Sequence, residues 1–149
     1  MEAFASSHKD KNPFEIYINP QGEEDILWPN HCVVGTEGNK LHEDLNLNGL
    51  REYVIFGKGQ ESNYHPYSGF AGTVMVWDDH IELNRLLVAR EVDEIDIVGL
   101  ALDYCVKETA LDGVKNGYKT NVLLEGTRGI SNDISPTLDE LKSNGVNVI

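Results

Sequence analysis

The sequence predicts an α/β fold built on a doubly wound, mostly parallel sheet. Three observations lead there. Short apolar runs alternate with segments of helical spacing through the second half of the chain. Those runs are continuous rather than alternating, the pattern of strands covered on both faces. The 149 residues, 40% hydrophobic and 25% charged, suffice for one domain with a sizeable core.

Each element has its own signal. The opening thirty residues are polar, carry Pro13, Pro20 and Pro29, and read as irregular, with a short extended piece at Phe14–Ile18. Thr36–Leu47 is irregular or weakly helical. Tyr53-Val54-Ile55-Phe56 is β-rich, ends at Gly57 and reads as a buried strand. Asp79–Arg90 reads as a helix: Ile81, Leu83, Leu86, Leu87 and Ala89 give it an apolar side, and Asp78 and Asp79 favour its dipole. Glu94–Ala101, with Ile95, Ile97, Val98 and Leu100, is a second buried strand. Tyr104–Asn116 is a helix with Val106, Thr109, Ala110, Gly113 and Val114 at helical spacing, and Gly117 stops it. Asn121–Leu124 is a third strand. Ser135 caps a last helix through Ser143, with Pro136 at its first position and Gly145 past its end. Val146–Ile149 is a final short strand.

Composition narrows the function classes. Twelve Lys and Arg against 25 Asp and Glu give a formal net charge of −13. Nucleic acids and anionic membranes both need clustered cations, so neither is an expected partner. No apolar run approaches the ~20 residues of a membrane span. Met1–Asp10 has no apolar signal-peptide core. Cys32 and Cys105 form no redox or zinc pair. A reduced, cytoplasmic setting fits.

In parallel sheets, ligands bind beyond the carboxyl ends of the strands. Cys105 is the leading candidate there. It opens a helix after a strand, where backbone N–H groups favour a thiolate, whereas an ordinary packing cysteine has no need of that elbow. Lys58 follows the Tyr53–Phe56 run between Gly57 and Gly59 and is placed to set its ammonium beside Cys105; a solvated lysine is the bland alternative. Asp103 is near Cys105 in sequence, which does not ensure contact, and no general base is evident. One His31 beside one Cys32 is poor evidence for a metal, since zinc needs three or four ligands. Trp28 is either an aromatic wall for a flat ligand or core. His8, His42, His65 and His80 have no spacing relation that recommends them.

Four separated motifs, in order, carry a resemblance that spans nearly the whole chain. Leu27-Trp28-Pro29-Asn30-His31-Cys32-Val33, then Phe56-Gly57-Lys58-Gly59 with Tyr67-Ser68-Gly69-Phe70, then Ile97–Val106 with Thr109-Ala110, then Thr127-Arg128-Gly129-Ile130-Ser131 together resemble the nicotinamidases of the isochorismatase-like hydrolase superfamily. Ser7-His8-Lys9-Asp10-Lys11 is similar to fungal, yeast-type members. The resemblance implies that residues 1–149 are the carboxy-terminal portion of one isochorismatase-like domain, lacking the family's first two strands. It implies hydrolysis of nicotinamide to nicotinate and ammonia, a step of NAD salvage, through a Cys105 thioester oriented by Lys58. It further implies a cis Leu100–Ala101 bond at an oxyanion hole shared with the Cys105 N–H, a ring pocket lined by Trp28 and Tyr104, and His31 as one ligand of a divalent ion such as Zn2+.

The family's catalytic Asp and its Asp-x-His metal ligands have no counterpart here, and Met1 aligns just after the latter. In the doubly wound order, strands 1 and 2 lie between strands 3 and 4. Lys58 and His31 are therefore expected to lose their bridge to Cys105, and apolar strand edges to be exposed. Two other readings stand beside the enzyme: a catalytically dead fragment acting as an interaction or regulatory module, and a related hydrolase for another small amide. A homo-oligomer is compatible with all three.

Overall fold

The computed structural model describes residues 3–59, 67–76 and 79–149. These fall into two compact units. The first holds residues 3–55 with Gly59, and the second holds Phe56–Lys58 together with residues 67–76 and 79–149.

The first unit is organised by one antiparallel hairpin, β1 (Ile16–Ile18) with β2 (Glu24–Ile26). Asn19 Oδ1 accepts from the Gln21 and Glu23 N–H groups and Gly22 has a positive φ, so side-chain and backbone turn chemistry together close it. Leu27 and Trp28 are buried, and Trp28 N–H donates to Ala3 O at 2.7 Å, tying the amino-terminal segment to the hairpin. Only a 3₁₀ turn at Glu37–Asn39 interrupts the irregular 36–47 stretch.

The second unit carries a parallel sheet of β5 (Glu94–Leu100), β6 (Lys119–Arg128) and β7 (Asn147–Val148), in that order. Ile97, Val122 and Val148 are register partners across it and share one face. Against that face pack α2 (Lys107–Lys115) and α3 (Ser135–Ser143), and Leu102, Val106, Ala110, Val122, Leu141 and Val146 form the buried core. Gly113 belongs where α2 crosses the sheet: a Cβ there would stand 2.7 Å from Thr120 Oγ1 and 2.8 Å from Ile95 Cδ1. The ladder between β5 and β6 slips once. Val122 pairs with Ile97, an offset of 25 residues, and Arg128 pairs with Leu100, an offset of 28.

Several expectations are corrected. The sheet's second face is not covered among the described residues: Glu94 and Asp96 lie on it, and Val98 and Leu100 are 56% and 73% exposed. Two carboxylates on one face keep it solvated, and Asn121 bridges them, donating to Glu94 Oε1 and Asp96 Oδ1. Tyr53–Phe56 is not a strand, and Tyr53 and Ile55 are more than half exposed. An apolar run becomes a strand only when a neighbour takes its backbone groups, and none of the described strands pairs with it.

Asp79–Arg90 splits in two. Asp79–Glu82 is β4, antiparallel to β3 (Thr73–Val76), and only α1 (Leu83–Ala89) is helical. Pairing of Val74 with Ile81 overrides the helical period there; Asp78 lies outside the described residues. Ser135 is the first residue of α3 rather than its cap, which puts Pro136 second. Asp133 Oδ1 takes up the Ser135 N–H at 3.0 Å instead.

Candidate active site

Cys105 sits on the connection from β5 into α2. The Leu100–Ala101 bond is cis, and Leu102–Val106 then forms one π-helical turn before α2 begins. Leu102 and Val106 point into the core and are almost fully buried, which leaves Asp103, Tyr104 and Cys105 on the half-exposed side. Cys105 is a free thiol.

Lys58 reaches it. Gly57 and Thr73 exchange both backbone hydrogen bonds, at 3.0 and 2.9 Å, and this fixes the chain one residue before Lys58. Gly72 permits the approach, because a Cβ there would meet Gly69 O at 3.0 Å and Lys58 Cβ at 3.6 Å. Lys58 Nζ then donates to Cys105 Sγ at 3.2 Å. The expected loss of this bridge is corrected. Two supports hold it: Gly57–Thr73 pairing on one side, and on the other a relay through Thr109. Thr109 Oγ1 donates to Cys105 O at 2.6 Å and accepts from Gly69 N–H at 2.8 Å.

Two further side chains complete the surroundings. The rings of Tyr104 and Tyr67 lie 5.7 Å apart and tilted, an aromatic platform next to the thiol in sequence. Asp103 turns the other way: its carboxylate accepts from Ile130 N–H at 3.0 and 3.1 Å and from Ser131 N–H at 2.8 Å. Gly129 precedes the held residues, and a Cβ there would stand 2.8 Å from Ile134 Cγ2.

The relay through Thr109 was not read from the sequence, which marked that residue as part of a helix face and of the family motif, without a bonding role. The available signal was its spacing, four residues after Cys105, where a Thr hydroxyl can bond back to a helical carbonyl.

Trp28 and His31 belong to the first unit. The Trp28 ring is buried edge-on to Phe14 (5.9 Å) and His31 (6.4 Å), and His31 also meets Phe4 at 5.3 Å. His31 Nδ1 lies 2.8 Å from Pro29 O. Among the described residues no three His, Cys, Asp or Glu side chains converge on one point, and zinc needs three or four ligands.

Residues 8–149 match the isochorismatase domain. The chain belongs to the isochorismatase family. Its similarity to the nicotinamidase of Saccharomyces cerevisiae is 38% identity over 159 residues, covering 99% of this chain and 72% of that protein. It is 39% identical to the nicotinamidase/pyrazinamidase of Mycobacterium tuberculosis over 123 residues, covering 82% of this chain and 62% of that one. In three dimensions it resembles the yeast nicotinamidase bound to the inhibitor nicotinaldehyde, with a TM-score of 0.85 and the same 99% and 72% coverage at 38% identity. A zinc-containing pyrazinamidase of Pyrococcus horikoshii is similar at TM-score 0.67 and 32% identity, over 82% of this chain and 62% of that one. The isochorismatase-family fold is thus the mixed α/β, parallel-sheet architecture that the sequence predicts. No helix among its described residues is long and apolar enough to cross a membrane.

Proposed function

We propose that this chain is an amidohydrolase of nicotinamidase type, converting nicotinamide and water to nicotinate and ammonia. The observation that carries this reading is the 3.2 Å approach of Lys58 Nζ to Cys105 Sγ, in a chain similar over most of its length to nicotinamidases. An ammonium against the sulfur favours the thiolate, the nucleophilic form. The thiolate attacks the carboxamide carbon, the C–N bond breaks, and ammonia leaves with a proton gained on the way. Water then cleaves the thioester, giving the acid and restoring the thiol. The N–H groups of Ala101, just before the turn, and Cys105, within it, are the donors that the family resemblance assigns to the oxyanion. Tyr104, beside Tyr67, offers the face for a flat ring. No step is routed through a metal, and His31 has no assigned part in the chemistry. An interaction module would give no reason for a lysine held on a thiol.

The test is ammonia release from nicotinamide by the purified 149-residue chain, with nicotinate quantified in the same samples. Release that disappears in Cys105→Ala is the expected result. A folded chain that releases nothing, or a Cys105→Ala variant that keeps the rate, overturns the proposal.

A further inference from the structure

We infer that Asp103 is a positioning residue: by holding the backbone of Ile130 and Ser131 it sets the turn on which Cys105 meets Lys58. Both of its oxygens are engaged in this hold, by two N–H groups at 2.8–3.1 Å. The nearest carboxylate in sequence to the thiol is therefore engaged with the main chain after β6.

The turn needs such a hold. A π-helical turn is wider than an α-turn and uncommon, and it persists where its surroundings fix it. Leu102 and Val106 anchor its core side. Thr109 anchors the Cys105 carbonyl toward Gly69. Asp103 supplies the third anchor, toward the segment after β6. From this one turn the Asp103 carboxylate takes the Ile130 and Ser131 N–H groups, while the Cys105 thiol takes the Lys58 ammonium, so its two side chains hold two separate segments. Gly129 lets this segment pack on Ile134, where a Cβ would stand at 2.8 Å.

The inference rests on the reading of Cys105 as the nucleophile, but its test needs no substrate. The probe is iodoacetamide, with alkylation of Cys105 followed by peptide mass spectrometry in the full chain at pH 7. The exposed thiol of Cys32 serves as internal control. Asp103→Ala should slow Cys105 alkylation roughly tenfold and leave Cys32 unchanged. Asp103→Asn, which keeps one acceptor oxygen, should fall between it and the wild type. In a Lys58→Ala background, Asp103→Ala should have no further effect, since its influence runs through that pairing.

Sign separates this role from a simple charge effect. Removing a negative charge near a thiolate speeds alkylation, so a faster or unchanged Cys105 in both variants overturns the inference. Additivity with Lys58→Ala overturns it as well. Circular dichroism reports whether Asp103→Ala folds, and Asp103→Asn decides by the same sign where it does not. Failure of nicotinamide hydrolysis alone would sink the function and leave this result standing.

Discussion

Lys58 and Cys105 are 47 residues apart and meet at 3.2 Å, nitrogen to sulfur. The meeting is built from backbone pairing at Gly57 and Thr73 and from one hydroxyl, that of Thr109, rather than from sheet neighbours. Lys58→Ala should lower the turnover of nicotinamide by about a hundredfold, the low end of what one preorganised electrostatic donor contributes. Lys58→Arg should restore only part of it, because a planar fork does not place a point charge where an ammonium does. Steady-state rates of ammonia release check both.

Thr109 satisfies two groups at once. Thr109→Val keeps the shape and leaves the Gly69 N–H without this acceptor. The loss should be about 1–3 kcal/mol, the usual penalty for an orphaned polar group in a partly buried site. Thr109→Ser should recover most of it. Urea unfolding of the three proteins measures the difference.

Gly113 and Leu141 test the core from opposite directions. Gly113→Ala drives a methyl into Thr120 and Ile95 and should destabilise by about 1–3 kcal/mol. Leu141→Ala empties a fully buried position and should cost about 2–5 kcal/mol. Thermal melts should rank Leu141→Ala as the more damaging.

The acid limb of stability should report Glu94. Its carboxyl is held below the ordinary value, first by the hydrogen bond from the Lys119 ammonium and then by that from Asn121. Such a group contributes stability that is present above the unfolded Glu value, ~4.3, and is lost as pH falls through the lower folded value. Urea midpoints should therefore drop between pH 5 and pH 3, and drop less in Glu94→Gln. Equal drops in both proteins would remove Glu94 from the account.

The elements legible in the sequence were those decided locally. Glu94–Leu100, the helix ending at Gly117 and the helix opening near Pro136 each carry their own period and stop signal, and each forms. Tyr53–Phe56 carries a strand's composition but depends on a partner elsewhere, which a pattern of residues does not contain. Asp79–Glu82 satisfied a helical period and still paired with Thr73–Val76, because a ladder partner outweighs a weak local preference. At the site, Cys105 and Lys58 stand out by position, at a strand-to-helix elbow and between two glycines. The partners of Asp103 do not, since they are backbone N–H groups, which every residue but proline carries alike.

The slip in the β5–β6 ladder acts as a spacer. Three extra residues, about 10 Å of extended chain, are taken up inside β6 between Val122 and Thr127. Beyond the slip, Thr127 and Arg128 lie beside Gly99 and Leu100, so both strands end together. The chain then leaves β6 with the Ile130 and Ser131 N–H groups on the Asp103 carboxylate. An irregularity in the sheet thus sets where β6 stops, and two main-chain donors meet the turn that carries the thiol.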